Sequence, residues 1–124
     1  EGEEILNDVM AWYTNTELPI YTPKSPKLSK IPVKSKSNSP LCHVSVGKWM
    51  KKANYKFFSP ERKDRCARLA ADVTKKTVIL LNKWVDDKYA PVHGSQAKMH
   101  QVPAQNNCMN CHGKNIPKVP GTGK

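Results

Sequence analysis

Residues 59–84 read SPERKDRCARLAADVTKKTVILLNKW. Ser59 supplies a side-chain oxygen as a helix cap, and Pro60 falls at the first helical position, where its missing N–H costs nothing. Cys66, Leu69, Ala70, Val73, Thr77, Leu80, Leu81 and Trp84 then recur at helical spacing. That stripe runs for about five turns and predicts one long amphipathic helix as the backbone of the core. Asp86, Asp87 and Pro91 close it.

Toward the N-terminus, Ser39-Pro40 repeats the start signal and predicts a helix over residues 41–53. Ile5, Leu6, Val9, Trp12 and Tyr13 form a further helical stripe, with Glu3, Glu4 and Asp8 near its start, where the helix dipole favours acids. Between these, Pro19, Pro23, Pro26, Pro32 and Pro40 deny a helix. Lys24, Lys27, Lys30, Lys34 and Lys36 charge the same stretch, and Leu18, Ile20, Tyr21, Leu28, Ile31 and Val33 give it apolar anchors. An extended arm is expected, lying on its own body or, by preference, on a neighbouring subunit. The 124 residues thus predict one mainly α domain with few or no strands. Its parts are an N-terminal helix (1–17), a Pro/Lys arm (18–40), a two-helix core (41–85) and a loop with a C-terminal segment (86–124).

That last segment contains Cys108-Met109-Asn110-Cys111-His112. The order C-x-x-C-H is the covalent attachment site of a c-type haem: two thiols one turn apart add to the vinyl groups of one macrocycle edge, and the adjacent imidazole lies over the iron. Half of a zinc site is the competing reading, with a fourth ligand from Cys42, Cys66 or another histidine. Zinc modules pair closely spaced clusters, and Cys42 and Cys66 stand far from each other and from the motif. One covalent haem is therefore the expectation, with His112 as proximal ligand.

For the opposite face His43 ranks first, because it shares a helix face with Gly47, whose missing side chain would let a flat macrocycle approach the backbone. His100 ranks second and His93 third, each otherwise a surface or hydrogen-bonding histidine. A methionine, Met99 or Met50, or an open site completes the choices, since no methionine follows His112. Cys42 and Cys66 remain as an even pair, and a disulfide tying two helices is expected, contributing roughly 3 kcal/mol by loop entropy. One thioether from Cys42 to a second haem, and two buried free thiols, are the lesser alternatives.

The formal charge of +11 arises from 21 Lys and Arg against 10 Asp and Glu. Such excess meets nucleic acid, anionic membranes or acidic protein patches, unless it is only a solvated surface. Nucleic acid lacks a supporting motif, the aromatic residues sitting at core spacings and not among the lysines. No apolar run is long enough to span a membrane. There is no Gly-rich phosphate loop and no catalytic constellation, so no enzyme is expected. Covalent haem attachment takes place outside the cytoplasm, and the start at Glu1 fits removal of an export signal, so a periplasmic or extracellular location is expected.

Ser39-Pro-Leu-Cys-His-Val-Ser-Val46, Ser59 to Leu69, Ala71-Asp-Val73 and Cys108 to Gly113 resemble the split-Soret cytochrome c family of sulfate-reducing and related anaerobic bacteria. The likeness spans residues 38–113, with Leu41-Cys42-His43 and Arg65-Cys66 as its more specific part. It implies an exported helical electron carrier that dimerises and brings haems of different subunits together. The chain departs from it in carrying one C-x-x-C-H motif where the named member carries two. The expected function is single-electron transfer between redox proteins with acidic docking patches, through one low-spin haem held by His112 and His43. A gas-binding haem protein with an open distal site and a structural subunit of an electron-conducting assembly are the rival expectations.

Overall fold

The computed structural model describes residues 1–28, 33–102 and 109–115, the side chains of Asn110 and Cys111 excepted. Among these residues five helices follow in order: α1 (Gly2–Asn15), α2 (Cys42–Ala53), α3 (Pro60–Val85), α4 (Gln96–Met99) and α5 (Met109–His112). The described residues hold no sheet, only an isolated antiparallel bridge between Leu18 and Ser35. The mainly α class read from periodicity is what the chain adopts.

Helix α3 starts as its sequence signals, the Ser59 hydroxyl accepting from the Arg62 N–H at 3.2 Å with Pro60 in the first turn. It ends at Asp86, followed by Asp87 in the left-handed region. Helix α2 begins later than its signal. The Ser39 hydroxyl accepts from the Leu41 N–H at 3.2 Å, spending itself on a turn, and Leu41 becomes an N-cap with no side-chain bond. The short helix α4 lies in what the sequence suggested was loop, capped by Ser95.

Helix α1 runs antiparallel along α3. Ile5 and Val9 pack with Leu80, and Tyr13 and Leu18 with Leu69, while Val73 joins the two clusters. The expected α3 stripe is therefore half right. Leu69 and Leu80 are buried, but Ala70, Leu81 and Trp84 are exposed. One α1 helix covers only one side of α3, and Arg65, Arg68 and Asp72 fill buried places that an apolar count passes over. On α1 itself Leu6, expected in the stripe, faces solvent.

The arm lies on its own body. Leu18 and Ser35 exchange backbone hydrogen bonds of 3.0 and 2.9 Å, and the buried Asp72 carboxylate accepts from the Ile20 and Tyr21 N–H groups at 2.7 and 2.9 Å. The Trp49 indole N–H donates to the Val33 carbonyl, and Lys48 to that of Ser37. Of the expected apolar anchors Leu18 is buried in the core and Leu28 half-buried, whereas Ile20, Tyr21 and Val33 stay exposed and polar backbone does their share of the anchoring. Lys30, Ile31 and Pro32 lie outside the described residues.

The disulfide expectation is corrected. Cys42 is exposed at the first residue of α2, Cys66 is half-buried on α3, and both thiols are free. Arg65 is the residue that α3 turns toward α2, bonding Ser45 at 2.7 Å. Cys66, one position on, is rotated about 100° from that contact.

Candidate functional site

His43 sits in the first turn of α2, and His112 is the last residue of α5. Far apart in sequence, their rings meet with centroids 6.1 Å apart and planes at 84°. Both residues are exposed. Behind His112 the chain turns sharply, Gly113 taking φ +59 as its N–H returns to the Met109 carbonyl at 2.9 Å. That left-handed position favours glycine. Gly47 lies one turn from His43, exposed, and a Cβ added there would meet no protein atom within 4 Å. This flank of α2 is thus open. Cys108 falls outside the described residues, and Cys111 is placed only as part of α5.

The other two histidines stand elsewhere. His93 is held by Asp8, its backbone N–H and its Nδ1 each 2.9 Å from Oδ1. His100 caps the end of α4, its N–H donating to Gln96. Among the described residues neither ring meets His112. No cluster of three metal-binding side chains occurs among those residues either. Met99 is exposed on α4, and Met50 is half-buried in the last turns of α2.

Beneath the α2 turn that carries His43 lies a polar core that the sequence did not signal, since no motif marks it. Arg65 is fully buried, with Nη2 on the Ser45 hydroxyl and its guanidinium 5.8 Å from the centre of the buried Trp49 ring. Tyr13 is buried beside it. Its hydroxyl approaches Ser45 and Cys42 without completing a hydrogen bond to either. Burial pushes that phenol above its ordinary range, the neighbouring Cys42 adds to the rise, and Ser45 and Arg65 oppose it.

A separate cleft of about 520 Å³ lies between α1, α3 and the segment after α3, and neither ring of the pair lines it. Trp12, Leu80 and Tyr89 form its walls and Lys76, Lys83 and Lys88 its charged margin. The Lys76 ammonium stands 5.8 Å over the Trp12 ring.

A helical chain with a C-x-x-C-H segment, whose histidine is met by a second imidazole from another helix, has the make-up of a c-type cytochrome. No protein-family model matches the chain. Split-Soret cytochrome c of Desulfovibrio desulfuricans is 35% identical to it over 89 residues, which cover 69% of this chain and 32% of that relative. The solved structure of split-Soret cytochrome c from the same organism, for which a novel iron centre is described, matches with a TM-score of 0.68 at 28% identity. That match covers 99% of this chain and 54% of the other. The chain belongs to the split-Soret cytochrome c family. It spans about a third of the curated relative's length and about half of the solved chain's.

Proposed function

We propose that this chain is an electron-transfer cytochrome carrying one haem, attached through Cys108 and Cys111, with His112 and His43 as the two axial ligands. The observation that carries the reading is the 6.1 Å separation of the two rings. With metal–nitrogen bonds of about 2.0–2.1 Å, two imidazoles on opposite sides of one ion stand about 6.3 Å apart between ring centres, whereas on a tetrahedral ion they stand about 5 Å apart. The 6.1 Å spacing is nearer that of two imidazoles flanking one haem iron than that of a tetrahedral zinc site. The open flank at Gly47 leaves room for a flat group beside His43.

When bound, the haem supplies a one-electron couple, and the protein's work is to hold and orient it. His43 is fixed by α2, which is itself pinned through Ser45 and Trp49 to α3 and the arm. His112 is fixed by the turn at Gly113. His43 and His112, if both held the iron, would keep small ligands from it, which would suit electron transfer and not gas binding. The lysines around the Trp12 cleft suit transient docking of an acidic redox partner, by steering that weakens with salt. Ile20, Tyr21 and Val33, exposed on the arm, offer apolar contacts to a second copy. The attachment chemistry implies residence outside the cytoplasm, and no described helix is long and apolar enough to cross a membrane.

Denaturing mass spectrometry of the exported protein should show one retained haem. His43→Ala should turn the ferric spectrum from low to high spin and admit carbon monoxide in the reduced state. A haem-free mass with bound zinc, or an unchanged low-spin spectrum in His43→Ala, would overturn the assignment.

A further inference from the structure

Among the described residues no acid is bonded to the Arg65 guanidinium. Its side chain is completely buried, and of its donors only Nη2 has a partner, the neutral Ser45 hydroxyl at 2.7 Å. Nε and Nη1 have none among the described residues. The adjacent acid, Asp64, is taken by Arg68 at 2.8 Å. Tyr13 cannot serve as counter-ion, because burial pushes its phenol upward and keeps it neutral. The Trp49 ring offers only its π face. Buried polar groups are nearly always satisfied, so an orphaned guanidinium calls for an explanation. Arginine also cannot escape by losing its proton.

The charge lies across α2 from His43, which is exposed while Ser45 is buried. Ser45 follows His43 by two positions on α2, so the guanidinium stands within roughly 10 Å of the His43 backbone. A buried charge at that range acts through protein rather than water and is little screened by salt. We propose that Arg65 is a fixed positive charge that raises the reduction potential of the haem held by His43 and His112. This rests on the haem reading above. The sign follows from charge: an oxidised iron centre carries one more positive charge than the reduced one, so a nearby cation destabilises the oxidised form. Arg65 touches neither ligand: its bond to Ser45 helps to seat α2, and its effect on the potential comes through its field.

Redox titration of the holoprotein tests this. Arg65→Met and Arg65→Gln should both lower the midpoint potential while the low-spin spectrum stays as in the parent. Ser45→Ala removes a bond that pins α2 but keeps the charge, and should lower the potential less than Arg65→Gln does. Lys63→Gln, an exposed charge on the same helix, should shift it little, and less at high salt. Arg65→Lys should restore the potential at acidic pH, where the ammonium is protonated, which keeps the test alive if the neutral variants fold poorly. Thermal melting adds an arm that needs no haem. An unbalanced charge predicts that Arg65→Met melts no lower than the parent, and a clear loss would overturn the idea by showing the guanidinium to be compensated. Haem present with an unchanged potential refutes the tuning alone. A parent protein without haem refutes the haem reading and takes the tuning with it.

Discussion

Asp72 is the residue whose loss should be felt furthest from where it stands. Its buried carboxylate on α3 accepts the Ile20 and Tyr21 N–H groups at 2.7 and 2.9 Å and so ties the arm to the core. Hydrogen bonds to a charged group contribute about 1.5–3 kcal/mol each. Ile20 and Tyr21 are 52% and 45% exposed, so their freed donors would recover part of this from water. Asp72→Ala should therefore cost about 2–3 kcal/mol, and Asp72→Asn, which keeps one acceptor oxygen, about 1–2 kcal/mol. Urea unfolding followed by circular dichroism reads these losses as a lower midpoint at an unchanged slope. Trypsin should meanwhile cut more readily at Lys24 and Lys27 as the arm lifts. The reasoning is refuted if Asp72→Ala costs less than about 0.5 kcal/mol and leaves the cleavage rate alone, since the arm would then be held by something other than this carboxylate.

Asp8 should set the acid limit of stability. Burial pushes its carboxyl up, but bonds from Tyr89, the His93 ring and the N–H groups of Val92 and His93 outweigh this and hold it below its ordinary 3.8. A depressed folded value gives stability that is present above 3.8 and lost as pH falls through the lowered one, so Asp8→Asn should flatten the acid limb of a melting profile. Tyr89 is pushed up to about 12 by burial and then by its bond to Asp8 and the charges of Asp8 and Glu4. Its contribution is therefore present below 10 and lost as pH climbs toward 12, and Tyr89→Phe should remove that alkaline loss. The 84° between the His43 and His112 planes makes a spectroscopic forecast. Crossed rings interact with different iron d orbitals and leave two of them nearly degenerate, so ferric protein should give a strongly anisotropic low-spin resonance. An ordinary rhombic signal would mean near-parallel rings and a different ligand pair.

The parts of the fold legible in the sequence are those set by local rules. Ser59-Pro60 announces the start of α3, and the spacing of Leu69, Val73 and Leu80 marks the side that α1 covers. Leu81 and Trp84 misled because periodicity places a residue on a helix face without saying whether anything packs there. Arg65, Arg68 and Asp72 misled in the opposite sense. Hydropathy puts charged residues in water, yet here they are buried because specific backbone and side-chain partners, or a ring face, lie within reach. Cys42 and Cys66 show the same limit, since an even count says nothing of which way two helices turn their thiols.

The site divides along the same line. C-x-x-C-H is contiguous, so the expectation of haem attachment arises from five letters, whereas the meeting of His43 with His112 depends on where α2 lies. That position is set by contacts without a motif: Arg65 to Ser45, Trp49 to Val33, and the arm to Asp72. The arm, α2 and α3 thus act as one support for a single imidazole. A weakened arm should loosen Trp49, then the seat of Arg65, and only then the ring pair. On this argument Asp72→Ala should broaden the distribution of His43 orientations before it removes any ligand, and the crossed-ring resonance should blur while the optical spectrum stays low-spin. If the optical spectrum fails first, α2 is held independently of the arm, and the chain of support runs only from α3.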